Sequence, residues 1–96
     1  MTFHPGHDAL HGFTVVVETK GPLTYVGRWD AEENGQVRLL DVAQHEVGER
    51  GMDRAAYLAD VARNGPRPTH RMVLVPAAEI AAVRTLGDVC RDLRGR

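Results

Sequence analysis

The sequence predicts a mainly β domain: a small five-stranded antiparallel barrel of strongly bent strands, with one short helix inserted between the third and fourth strands. Three observations point there. Three runs rich in β-branched residues follow one another across short turn signals. Gly27 interrupts the second run, where a curved sheet needs a bend or bulge. A single amphipathic stretch bounded by cap residues then separates these three runs from two further strand-like ones.

In chain order, Thr2 to Gly12 is polar and rich in histidine, with room for a short helical turn around Asp8 to His11 that Gly12 ends. The first strand spans Phe13 to Thr19; Phe13, Val15 and Val17 fall on one face, Thr14, Val16 and Glu18 on the other. Lys20-Gly21-Pro22 is a tight turn into a second strand, Leu23 to Asp30. Asn34-Gly35 is a hairpin signal, because both central residues of the favoured two-residue turn need positive φ. Gln36 to Val42 is the third strand, and two short turns make the first three strands an antiparallel meander.

The pattern then changes. Asp53 is placed to cap a helix over Asp53 to Arg63, whose apolar stripe is Tyr57, Leu58, Val61 and Ala62; Asn64-Gly65-Pro66 stops it. A helix this short is marginal alone, so its stripe must pack on something. Arg71 to Val75 is the fourth strand, Pro76 to Glu79 a short turn, and Ile80 to Leu86 the fifth strand. Gly87 to Arg96 reads as a frayed helical tail. The expected organisation is one domain over 1–96: a flexible or short-helical N-terminus over 1–11, a helical insertion over 52–65 and a C-terminal tail over 87–96.

Composition narrows the function. The chain contains no serine, which excludes a serine nucleophile. Its one cysteine, Cys90, permits no intrachain disulfide, and the chain reads as a reduced, cytoplasmic protein. No apolar run approaches the ~20 residues of a membrane span, so no membrane association is expected. No nucleophile–base–orienter set can be drawn and no cofactor motif is present, so neither enzyme activity nor a cofactor is expected. The net charge is −1, but the first 62 residues carry a net −5 and the remainder +4. That split suits a local basic patch or complementarity between neighbouring copies.

With these elements in place, the chain resembles the Sm-like (LSm) proteins. The resemblance runs over roughly residues 10–86. Its first part is Gly12 to Val17, Gly21, Tyr25-Val26-Gly27-Arg28-Trp29 and Val37 to Val42; its second is the pair of short strands Val73-Leu74-Val75 and Ile80 to Val83 across Pro76 to Glu79. The segment Asp41 to Glu46, the inserted helix and Arg71 are similar to a bacterial branch of small Sm-like proteins with a helical insertion between strands three and four. The resemblance implies an SH3-like, Sm-like barrel and a non-enzymatic homo-oligomeric ring of about five to seven subunits, closed by pairing strand four of one copy with strand five of the next. Val73, Val75, Ile80 and Val83 would then form the ring interface. It also implies RNA as a ligand, with Asp30, Asn34 and Arg38 near the second hairpin, and Arg71 and Arg84 on the pairing strands, as contact residues. The turn between strands four and five is Pro76-Ala77, where uridine-binding members carry an Arg-Gly pair. A ring that scaffolds protein partners is the alternative.

A metal-dependent alternative rests on the histidines, since imidazole ligates zinc, nickel or copper. His4, His7 and His11 are spaced for one helical face, but Pro5 and Gly6 break a helix between the first two. His45 and His70, flanked by Asp41 and Glu46, would approach one another if strands three and four pair; the competing reading leaves His45 and Glu46 facing solvent. Tyr25, Trp29 and Tyr57 are read as core or interface residues before base-stacking platforms.

Overall fold

The computed structural model of the chain describes residues 7–95. A four-residue helix, α1 (His7–Leu10), leads into five strands: β1 (Thr14–Thr19), β2 (Leu23–Glu33), β3 (Gln36–Glu46), β4 (His70–Pro76) and β5 (Ile80–Thr85). They form one antiparallel sheet in the order β4-β3-β2-β1-β5. The five strands and the insertion come in the expected order, with β2 running three residues past its expected end at Asp30 and β3 four residues past Val42, and the sheet is bent but unclosed. β4 and β5 are its two edges.

Two local features produce the bend. Gly27 sits where β2 crosses β3 closely: a Cβ there would lie 3.0 Å from Val42 Cγ2 and 3.1 Å from the Leu40 carbonyl oxygen. The β2–β3 register shifts at this point, and across it Asp41 has φ of 53°. At the hairpin tip, Asn34 and Gly35 take φ of 55° and 75°, as the turn between β2 and β3 requires. The β4–β5 turn is tied to both hairpins: the Ala77 N–H donates to Gly35 O at 2.8 Å, and the Lys20 N–H to Glu79 O at 2.8 Å.

Strand alternation divides the apolar residues between two cores. Val15, Val17, Trp29, Val37, Leu39, Val42, Val75 and Ile80 fill the concave side. Val16, Val26 and Ala43 point the other way and are covered by two helices, α2 (Arg54–Asn64) and α3 (Leu86–Arg94), through Tyr57, Leu58, Val61 and Val89.

The capping of α2 follows its sequence: Asp53 Oδ1 accepts from Ala56 N at 2.8 Å, and Gly65, at φ 82°, donates its N–H to Val61 O. Two segments differ from expectation. β3 continues past Val42 to Glu46, because the Asp41 bulge resets the alternation and lets Ala43 face the helices. The C-terminal segment is a capped, packed helix, not a frayed tail. Thr85 Oγ1 accepts from Asp88 N at 3.1 Å, Val89 is buried, and Leu86 and Leu93 pack beside it. Leu86, Val89 and Leu93 make an i, i+3, i+7 stripe whose burial holds the helix down.

Candidate assembly edges and nucleic-acid interface

The residues nominated from sequence separate into three places. Asp30, Asn34 and Arg38 gather at the β2–β3 hairpin. Arg38 Nε donates to Asp30 Oδ2 at 2.6 Å, and Arg38 Nη1 lies 3.6 Å from Glu33 Oε1. The hydrogen bond that Asp30 accepts, then the charge of Asp30, hold the Arg38 guanidinium above its ordinary pKa, with Glu33 adding to the effect. Asn34 and Arg38 line a cavity of about 170 Å³ together with Ala31, Glu33, Gln36 and Leu74.

Arg71 and Arg84 do not join that group. Arg71 is exposed on β4, beside Asp41, Pro68, Thr69 and His70. Arg84 is on β5 at the far edge of the sheet, paired with Glu18 Oε2 at 3.0 Å and Asp92 Oδ2 at 3.2 Å. Its charge is met within the chain. Trp29 is fully buried and Tyr25 packs on the concave core, so Trp29 offers no face for a base to stack on.

The histidines are likewise dispersed. His45 is 1% exposed; its Nε2–H donates to Glu49 O at 3.0 Å, while Nδ1 is buried without a hydrogen-bond partner among the described residues. His70 is exposed, opposite Val42 in the β3–β4 ladder, with Nδ1 2.9 Å from the Thr69 hydroxyl. β3 and β4 do pair, but the two rings are not brought into one cluster. His45 does not face solvent; Glu46 does. His11 Nδ1 lies 2.8 Å from Asp30 O. His4 and the side chain of His7 lie outside the described residues. Among the described residues no three His, Cys, Asp or Glu side chains converge as a metal site would require.

One anchoring residue escaped the sequence reading. Arg54, in the first turn of α2, reaches back to β2: Nε donates to Thr24 Oγ1 at 2.7 Å, and Nη2 to Gly21 O and Leu23 O at 2.8 and 2.9 Å. Its partners lie about thirty residues earlier in the chain, and nothing in the local pattern around Arg54 signals them.

The sheet edges carry the residues nominated for subunit contact. Val75 and Ile80 are buried in the chain's own concave core, and Val73 and Val83 are half-buried at its two open ends. The apolar side chains that β4 presents outward are Met72 and Leu74, 49% and 46% exposed. No helix among the described residues is long and apolar enough to cross a membrane.

A short α-helix, a five-stranded antiparallel sheet bent on itself, and two unpaired edges formed by the last two strands define a class of small β-barrel. The fold is that of the Sm-like proteins. Solved structures that share it include the Sm protein of Pyrococcus abyssii in complex with a uridine heptamer, at a TM-score of 0.59 and 11% identity over 88% of this chain and 99% of that one. The Sm-like protein AF-Sm2 of Archaeoglobus fulgidus matches at 0.58 and 9% identity, over 88% and 95% of the two chains. A chain from the NatC complex bound to CoA matches at 0.55 and 17% identity, over 90% and 91%. No family model and no curated protein matches the sequence.

Proposed function

We propose that the protein is a non-enzymatic, ring-forming Sm-like protein. The observation that carries this reading is the pair of unpaired edges. Among the described residues β4 and β5 end the sheet on opposite sides, each hydrogen-bonded to one neighbouring strand, and Val73 and Val83 leave the concave core half-covered at both ends. The stretches Met72 to Val75 and Ile80 to Val83 of the two edges carry no charge that would block pairing. Because the two edges differ, the contact is heterologous, and the resemblance to the Sm-like proteins implies that its repetition closes a ring of about five to seven copies. Light scattering at micromolar concentration tests this: a mass of several chains is expected, and a monomer overturns it.

RNA is the ligand class we assign to the ring, on the cavity that Asn34 and Arg38 share beside the β4–β5 turn. Arg71 contributes a further cation. The Pyrococcus abyssii neighbour holds a uridine heptamer, which supports the same class. Fluorescence anisotropy with oligo-U and oligo-A at two salt concentrations is the test. Binding that falls steeply with salt, and that Arg38→Ala and Arg71→Ala weaken, supports RNA. An intact ring that binds neither oligonucleotide at low salt rejects RNA in favour of a scaffold for protein partners. The NatC neighbour, part of a protein complex, gives that second reading its support.

A further inference from the structure

Beyond Val42, β3 has an open side. Backbone groups point alternately to either side of a strand, and the bonds around this stretch fix which residue points where. Ala43 and His45 stand opposite Val26 and Thr24 of β2, and the Val47 N–H donates to Pro22 O at 3.0 Å, so the odd-numbered residues face β2. Val42 O accepts from Thr69 N at 2.9 Å, and the Glu46 N–H donates to Glu49 Oε1 at 3.0 Å, so the even-numbered residues face the other way. β4 begins at His70, opposite Val42, and the segment leading into it carries Pro66 and Pro68, which have no N–H to donate. The N–H and carbonyl of Gln44 therefore point away from β2, to a side where no strand among the described residues pairs with them.

On that side Gln44 lines a cavity of about 210 Å³, together with Tyr57 and Val61 of α2, Arg67 and Thr69 of the segment before β4, and Arg50. Arg50 and Arg67 are exposed, and neither forms an ion pair among the described residues. The two acids of the cavity are engaged within the chain: Glu49 accepts from Glu46 N, and Asp60 Oδ1 from Asn64 Nδ2 at 2.8 Å. Tyr57 is 4% exposed and its ring is stacked on His45, which leaves little of it for a nucleobase. We propose that this cavity binds the C-terminal residue of a polypeptide. The N–H of that residue donates to Gln44 O, one carboxylate oxygen accepts from the Gln44 N–H, and the other meets Arg50 and Arg67. A backbone donor–acceptor pair on an open strand side is complemented by a peptide group, and two uncommitted guanidiniums select a carboxylate over an amide. The chain end fits better than a strand passing through, because Glu49 already occupies the next outward position, at Glu46. The site is built by the inserted helix and the turns flanking it, and shares no residue with the hairpin cavity assigned to RNA.

Amide NMR spectra of the full, isotope-labelled chain test this, with N-acetylalanine, N-acetylalaninamide, acetyl-Ala-Ala-Ala-Ala and uridine monophosphate as probes. N-acetylalanine is expected to shift the Gln44 amide signal saturably, with a Kd of about 10 mM or tighter. The amide, which lacks the charge, is expected to bind about tenfold more weakly or not at all. The tetrapeptide is expected to bind at least as tightly as the single residue. Arg50→Ala and Arg67→Ala replace exposed side chains, and each is expected to weaken N-acetylalanine about threefold or more while the signals of β1 and β2 stay in place. Equal shifts from acid and amide, a Gln44 signal that no probe moves, or binding that both variants retain in full overturn the proposal. Tighter binding of N-acetylalanine than of the tetrapeptide makes the ligand a free small acid and overturns it too. A Gln44 signal that moves with uridine monophosphate alone makes the site one for a nucleotide, with the same consequence.

Discussion

The ring of His45 lies flat on that of Tyr57, with centroids 4.3 Å apart and planes 7° from parallel. His45 comes from the end of β3 and Tyr57 from the end of the first turn of α2, so the stack joins the inserted helix to the sheet. The bond from His45 Nε2–H to Glu49 O ties the intervening turn to the same point. A polar side chain that composition would put at the surface is therefore part of the outer core.

The phenol of Tyr57 gives this junction a pH dependence. Burial raises its pKa above the ordinary 10.0; Arg50 pulls it down, and Asp60 and Glu49 push it up again. The unfolded chain therefore ionises Tyr57 first, and the folded chain binds its proton more tightly. The resulting stability is fully present below about pH 10 and is lost as pH rises through the folded value. Tyr25 is raised too, by burial and by Glu79, and acts in the same sense. Thermal melts of the native chain and Tyr57→Phe between pH 8 and about 11 should show a steeper alkaline decline for the native chain. Parallel declines would argue that Tyr57 does not contribute.

Gly27 is required by a close approach, not by its φ. A Cβ meets Val42 Cγ2 at 3.0 Å and the Leu40 carbonyl at 3.1 Å, and the carbonyl belongs to the β3 backbone, which yields less readily than a side-chain tip. Gly27→Ala should destabilise the fold by about 1–3 kcal/mol, read as a lower urea midpoint with an unchanged slope. An unchanged midpoint would mean that the two strands separate there without cost.

The cap of α2 is a separable test. Asp53→Ala removes the acceptor for Ala56 N and should cost about 1 kcal/mol, while Asp53→Asn or Asp53→Ser should recover most of it. Chemical denaturation of the three variants measures the difference directly.

Removing α3 exposes the outer core. A chain ending after Thr85 loses Val89, Leu86 and Leu93 from contact with Val16, Leu58 and their neighbours. It should bind a hydrophobic dye and lose amide protection in α2 more than in β1–β3. A truncated chain as protected as the full one would show α3 to be a tail after all.

Several features of this protein are determined within a few residues of sequence. β-branched alternation makes β1 a strand with two apolar faces, Asn34-Gly35 provides the two positive-φ residues of the hairpin, and Asp53 and Gly65 bound α2. Each depends on local φ/ψ and capping requirements, so each was legible without knowing what lies opposite. The tertiary structure alone decides what depends on distant partners. It buries His45 under Tyr57, fastens Arg54 to Thr24, Gly21 and Leu23, and spends the charge of Arg84 on Glu18 and Asp92. It sends Arg71 and Arg84 to opposite edges of the sheet and, within the hairpin, joins Arg38 to Asp30. It also turns the C-terminal stripe of Leu86, Val89 and Leu93 into a helix, because that stripe has a face of β1 and β2 to cover. A residue's neighbours along the chain set its backbone conformation, whereas its charge partner and its burial are set by strand order and by the side of the sheet on which it emerges.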